Sequence, residues 1–184
     1  MSTLATAPFR PSVLLDPWVL GFAAAGVAIN WAALQYGERG PGPSRVRTVS
    51  YLGDTFGRRG GTAAMAGYWI PLSWGAGESE EMLFRGILQS DWEERWGPTG
   101  GWLAASAVFG LAHYPVGAPA GEALAQVGFA AVAGSWLGWR FQRTGYRLAE
   151  PVAAHVWFDI AAGVTVWLLD PGQNPLGARI SFAL

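Results

Sequence analysis

Six ionisable residues lie in apolar stretches of this chain, and their types are those of acid–base chemistry. They are Glu80, Glu81, Arg85, His113, His155 and Asp159. Charged groups are costly among apolar helices, and those at membrane depth usually mark a function. A carboxylate beside imidazoles can take a proton from water, and the imidazoles can donate to a developing oxyanion. The residue types therefore predict acid–base chemistry inside a membrane.

The first cluster, Glu80 to Arg85, predicts different roles for its two adjacent glutamates. On a helix, Glu81 and Arg85 are four residues apart, so they face each other and can form an ion pair. Glu80 then points about 100° away and is left for chemistry. The alternative is a solvated helix start, in which Glu78, Glu80 and Glu81 complement the helix dipole.

The other two clusters each place two side chains on one helical face. Phe109 and His113 are four residues apart, and so are His155 and Asp159. We expect both faces to converge on Glu80. The alternative is that each histidine is a satisfied core residue and that His155 and Asp159 form a pair within their own helix.

Composition indicates a bilayer protein. The chain is 51% hydrophobic and 14% charged, whereas soluble domains carry roughly 25% charged residues. It has no cysteine, which excludes a disulfide framework, a thiolate metal site and a cysteine nucleophile. Its basic residues are all arginines, scattered through connecting segments, so we expect no nucleic-acid partner.

The apolar segments predict an all-α fold, a polytopic membrane bundle of five or six transmembrane helices with a water-accessible cavity. Pro17–Tyr36 is uncharged over the roughly 20 residues that span a hydrocarbon core. Pro71, Gly75 and Gly77 predict a break before a helix that starts near Glu78. The segments proposed as helical are 17–36, 62–74, 80–89, 102–114, 123–139 and 151–169.

Three parts of the chain follow from this pattern. Residues 1–61 hold the first helix and an arginine-rich polar segment, 38–61, which reads as a surface loop. Residues 62–170 form the helical core, which contains the six ionisable residues named at the start, and residues 171–184 form a C-terminal tail. Within the core, Gly134 and Gly138 are spaced to let two helix backbones approach closely. The alternative is that this spacing of the two glycines arose by chance in a glycine-rich chain.

The three clusters, in this order and on successive apolar helices, resemble the motifs of the CAAX-protease and bacteriocin-processing (CPBP) family of intramembrane proteases. They read Glu80-Glu81-x-x-x-Arg85, Phe109-x-x-x-His113 and His155-x-x-x-Asp159. The resemblance covers about residues 62–169, so it identifies the core 62–170 as the catalytic part. The first helix and its arginine-rich segment lie outside it.

The resemblance implies a role for each matched position. Glu80 activates the water with His113 beside it, while His155 and Asp159 stabilise the oxyanion or position water. The supporting residues are Glu81, Arg85 and Phe109. The family often has asparagine where this chain has Asp159, and an ionised aspartate cannot donate a hydrogen bond to an oxyanion.

Two other functions stay open at this point. Glu80, His113, His155 and Asp159 also provide enough ligands for Zn²⁺ with one open position, although a His-Glu-x-x-His helix is absent. Without zinc, no cofactor is expected. The second alternative is a non-catalytic scaffold, an immunity-type partner or a proton relay, in which these residues would follow a path through the bilayer.

The resemblance also implies partners and a location. The expected partners are the lipid bilayer and a membrane-anchored protein or peptide substrate, such as one with a C-terminal sorting signal or a bacteriocin-type propeptide. A prenylated substrate is disfavoured, because that activity belongs mainly to eukaryotic relatives. The arginine-only, Ala- and Gly-rich composition indicates a bacterial chain, which we expect in the cytoplasmic membrane.

Overall fold

Helices predominate in the computed structural model, which describes residues 4–36 and 40–183. The α-helices are α1 Pro11–Leu14, α2 Pro17–Tyr36, α3 Arg58–Glu81, α4 Ser90–Ala112, α5 Ala120–Arg143 and α6 Ala149–Leu169. A π-helical segment, Met82–Gln89, joins α3 to α4. The predicted first helix is confirmed residue for residue. Helices α5 and α6 contain the predicted segments 123–139 and 151–169, whereas α4 ends two residues before the end of the predicted segment 102–114.

A small antiparallel sheet corrects the all-α prediction. Its strands are β1 Val46–Tyr51, β2 Asp54–Gly57 and β3 Arg179–Phe182, in the order β2-β1-β3. The predicted surface loop 38–61 therefore contains a hairpin, turned at Leu52 and Gly53 with φ of 50° and 91°. Positive φ at both central residues is what a two-residue hairpin turn requires. Glu38 and Arg39 of that segment lie outside the described residues.

The predicted break at Pro71 is wrong, because α3 continues through this proline to Glu81. An interior proline removes one hydrogen bond and crowds the carbonyl four residues earlier. That carbonyl belongs to Gly67, and glycine has the least restricted backbone of all residues. The helix can therefore accommodate the proline at this position.

Helix α4 bends sharply at Gly97-Pro98. Gly97 has φ 76° and ψ 165°, a conformation that is open to glycine and strained for other residues. Beyond the bend, Gly101 packs directly against the backbone of Glu93, where any side chain would collide. Residues 90–96 and 98–112 are therefore two helical arms packed on each other.

Two helices in the described part of the chain are long and apolar enough to cross a membrane. They are α2, with a mean hydropathy of 1.5, and α6, with 1.6. The total of five or six spanning helices stays a prediction.

The chain forms two compact units. The first contains Met1–Leu14 and Gly77–Ala154, and the second contains Leu15–Ala76 and His155–Leu184. In the first unit, Phe84, Phe109 and Ala130 form a buried apolar cluster. In the second, the sheet covers a core whose buried members are Val46, Val49, Met65, Trp167 and Ala178.

A ladder of hydrogen bonds joins the segment 85–93 to α5 in the first unit. Its rungs are Arg85 to the Gly134 carbonyl, Gln89 to the Gly138 carbonyl, and Gln142 to the Glu93 carboxylate, at 2.7, 3.1 and 2.8 Å. Each rung joins residues 49 positions apart, so the two segments run side by side in the same direction. The groups nearest to Gly134 and Gly138 are the side chains of Arg85, Phe109, Gln89 and Trp102, so the predicted close approach of two helix backbones stays a prediction.

The last rung extends into a small polar network around buried Glu93. This carboxylate also accepts from the Gln89 amide at 2.6 Å and from the Tyr146 hydroxyl at 2.8 Å. The hydrogen bond to Glu93 raises the pKa of Tyr146. Tyr146 has φ 61°, an uncommon conformation for a non-glycine residue. The network therefore fixes the chain where it leaves α5.

Two glycines of α5 test this packing as a matched pair. A Cβ at position 138 would lie 2.5 Å from Oε1 of Gln89 and 2.8 Å from the Trp102 ring, whereas one at 128 would meet nothing within 4 Å. Gly138→Ala should cost roughly 1–3 kcal/mol through overpacking. Gly128→Ala should be neutral or stabilise by up to about 1 kcal/mol. Thermal unfolding in detergent measures both, and equal melting temperatures would contradict the proposed contact.

Candidate active site

A buried ion pair holds the first motif in place. Nη1 of Arg85 lies 2.9 Å from Oε1 of Glu81, and their side chains are 1% and 0% exposed. The predicted ion pair is therefore confirmed. It is formed where α3 passes into the π-helical segment, a rare helix type that often occurs at functional sites.

Arg85 has further partners that satisfy its guanidinium. Nη2 donates to the Gly134 carbonyl at 2.7 Å, and the guanidinium carbon lies 4.3 Å from the centroid of the Phe109 ring. A buried charge needs such partners, because its desolvation penalty can exceed the attraction of a single counter-ion. A Cβ at position 134 would come within 3.0 Å of Nη2, so glycine makes room for this bond.

Phe109 connects Arg85 to the second motif. Its ring contacts Phe84 edge-on, with centroids 5.0 Å apart, and contacts the imidazole of His113 at 4.5 Å. Edge-on contacts between aromatic rings are favourable. The aromatic contacts and the ion pair together fix the ring against which His113 lies.

The backbone also fixes the protonation pattern of His113. This residue follows the last residue of α4, and its Nδ1 lies 2.8 Å from the carbonyl oxygen of Phe109. Because a carbonyl only accepts, Nδ1 carries the hydrogen, an assignment that follows from the hydrogen-bond network. In the neutral imidazole, Nε2 is then an acceptor.

That acceptor faces Glu80. Nε2 of His113 lies 3.6 Å from Oε2 of Glu80, and both side chains are about one-third exposed, at 32% and 31%. Oε2 makes no hydrogen bond to the rest of the described chain. At 3.6 Å the two atoms are too far apart for a direct hydrogen bond, and two acceptors in this arrangement suit a water molecule that donates one hydrogen to each. Such a water places a transferable proton between a carboxylate and an imidazole.

The third motif forms its own pair in the second unit. On α6, Nε2 of His155 lies 3.6 Å from Oδ2 of Asp159, with side chains 9% and 26% exposed. The structure thus brings Glu80 to His113 in one unit and His155 to Asp159 in the other. Within residues 4–36 and 40–183, no three His, Asp or Glu side chains are grouped as a metal site.

The polar network behind the first motif was not predicted from the sequence. Its members are Gln89, Glu93, Gln142 and Tyr146. A signal was present in the sequence, because Arg85, Gln89 and Glu93 repeat every four residues and so share one helical face. The network extends the anchoring of Arg85 along α5.

The buried ion pair can be tested by removing one or both partners. Arg85→Met leaves Glu81 as an uncompensated buried charge, which should cost about 3–5 kcal/mol. The double variant Glu81→Leu with Arg85→Met removes that charge and should recover part of the loss. Unfolding free energies in detergent provide the comparison. A double variant less stable than Arg85→Met would contradict the proposed burial of the pair.

Comparison with known proteins identifies one family. No curated protein and no solved structure matches the chain. The profile described as type II CAAX prenyl endopeptidase Rce1-like matches residues 62–161, more than half of the chain, and this range includes all three motifs. This family is membrane-embedded, and membership implies protease activity. The chain therefore belongs to the Rce1-like family of type II CAAX prenyl endopeptidases, which confirms the resemblance to CPBP proteases.

Proposed function

We propose that this chain is an intramembrane endopeptidase that hydrolyses a peptide bond of a membrane-anchored substrate with water activated by Glu80. The observation that carries the proposal is the pair of facing acceptors, Oε2 of Glu80 and Nε2 of His113, 3.6 Å apart. Each side chain is about one-third exposed as a whole, while Oε2 of Glu80 is shielded and makes no hydrogen bond to the described residues, which suits an acceptor for a bound water. Family membership supplies the reaction class.

The residues present can account for each proton in hydrolysis. Glu80 takes a proton from the water as its oxygen attacks the carbonyl carbon, which makes a tetrahedral oxyanion. The C–N bond then breaks, and the departing amine receives the proton from Glu80. His113, held by the Phe109 carbonyl, accepts a hydrogen bond from the other O–H of the water and orients it. General base catalysis of this kind contributes about 10²–10⁴-fold to the rate.

The proposed role of His155 and Asp159 is to stabilise the oxyanion. An imidazolium has two N–H donors. Nε2 of His155 faces Asp159 at 3.6 Å, and the proposed contribution of the protonated ring is positive charge beside the oxyanion. In this scheme Asp159 orients His155 and does not itself need to donate. The difference from the asparagine common in the family is then compatible with activity.

The substrate class and location complete the proposal. Helices α2 and α6 are apolar enough to cross a bilayer, which suits a substrate that also lies in the membrane. We propose a bacterial cytoplasmic membrane and a single-helix substrate, such as a protein with a C-terminal sorting tail or a bacteriocin-type propeptide.

Conservative substitution of the facing pair should abolish cleavage. Glu80→Gln removes the base and should lower the rate by at least about 100-fold, and His113→Gln should cause a comparable loss. Glu78→Gln is the matched control on the same helix and should keep wild-type activity. Terminal-peptide mass spectrometry of membranes from cells that express each variant identifies the cleavage products.

Each result has a distinct meaning. New termini near a membrane helix that appear with wild type and Glu78→Gln, but not with Glu80→Gln, would support the protease. Identical termini in wild type and Glu80→Gln would contradict it and would favour a scaffold or a proton relay.

A zinc-dependent mechanism with the same residues is the alternative. Catalytic zinc uses three protein ligands, and each pair described above supplies two. For the metal-free mechanism, we expect purified enzyme to retain activity after treatment with a strong chelator. Asp159→Asn should also remain active. Loss of activity after chelation with recovery on adding Zn²⁺, together with an inactive Asp159→Asn, would instead support zinc.

A further inference from the structure

The third motif has a backbone contact that the family motifs do not include. In the second unit, Nε1 of Trp69 on α3 donates a hydrogen bond to the backbone carbonyl of Asp159 on α6, at 2.9 Å. A buried indole N–H usually finds a hydrogen-bond partner. Here that partner is the main chain of a residue proposed to act in catalysis.

Glycine at position 163 makes the contact possible. Gly163 lies one helical turn beyond Asp159, and a Cβ there would collide with Nε1 of Trp69. In a regular α-helix, the carbonyl of residue 159 accepts from the N–H of residue 163. A carbonyl oxygen has two lone pairs, so the indole can use the second where no side chain blocks it.

The rest of the indole faces an apolar cavity. Trp69 and Gly163 both line this cavity of about 180 Å³, together with Met65, Ile70 and Trp167. A ring in such surroundings has little reason to choose one orientation by packing alone. The directional bond to the Asp159 carbonyl therefore sets the orientation of the ring and ties that turn of α6 to α3.

We propose that Trp69 is a positioning residue for the His155–Asp159 pair. By fixing the backbone of Asp159, its N–H sets the direction in which the carboxylate leaves the helix, and so its 3.6 Å approach to His155. An effect of Trp69 on catalysis rests on the proposed function. Its effect on the position of Asp159 relative to His155 does not, and that effect can be measured without a substrate.

The decisive variant removes the hydrogen bond and keeps the shape of the ring. Site-specific incorporation at position 69 of a tryptophan isostere with sulfur in place of the N–H does this, while a ring-fluorinated tryptophan keeps the donor. We expect the sulfur isostere to lower kcat about threefold to tenfold, the effect of one typical hydrogen bond, with KM unchanged. The fluorinated residue should retain wild-type kcat.

A second readout follows from the two histidines of the chain. Imidazole NMR of histidine-labelled protein gives one set of signals for each, and His113→Gln assigns them. The sulfur isostere at position 69 should shift the His155 signals and leave those of His113 in place. The matched control is Trp102, whose indole donates in the same way to the Ser135 carbonyl at 2.7 Å. The same isostere there should leave the His155 signals unchanged.

The outcomes separate this inference from the proposed function. Unchanged His155 signals with the isostere at position 69 would overturn the positioning role, and so would shifted signals with an unchanged kcat. A wild-type protein without Glu80-dependent cleavage, but with shifted His155 signals in the variant, would contradict the protease and retain the positioning of the pair.

Discussion

The ion pair between Glu81 and Arg85 is the constraint around which the first unit is arranged. Both groups are fully desolvated, and a charge in that state is tolerated only where every partner is in place. Arg85 therefore needs the backbone carbonyl of Gly134, beside which no side chain stands, and the face of the Phe109 ring. These requirements fix where α5 and the end of α4 lie relative to the first motif.

The same constraint separates two adjacent carboxylates. Glu81 is drawn into the interior by Arg85, so Glu80, the next residue on the helix, points elsewhere and stays partly exposed. His113 reaches Glu80 because Phe109 supplies both the ring it contacts and the carbonyl that binds its Nδ1. The buried pair Glu81–Arg85 thus supports the partly exposed pair Glu80–His113, to which we assign the chemistry.

Aromatic residues facing glycines are the common packing device in both units. Phe109 lies against Gly134 in the first unit, and Trp69 lies against Gly163 in the second. Apolar burial drives helices together weakly in a bilayer, so close approach at small residues carries more of the association. Where the ring has a donor, as in Trp69, the same contact also orients the helix backbone.

Local spacing in the sequence was enough to predict features that lie within one stretch of helix. Four-residue spacing predicted the pairing of Glu81 with Arg85, and the length and apolarity of α2 predicted its two ends, because both depend on residues within one helix. The sheet was different, since β1 pairs with β3 about 130 residues later, and no local pattern encodes that partner. The bond from Trp69 to Asp159 likewise depended on the absence of a side chain at Gly163, which lets the indole approach the backbone of α6. These features could not be predicted from local patterns, because they arise where segments distant in sequence meet.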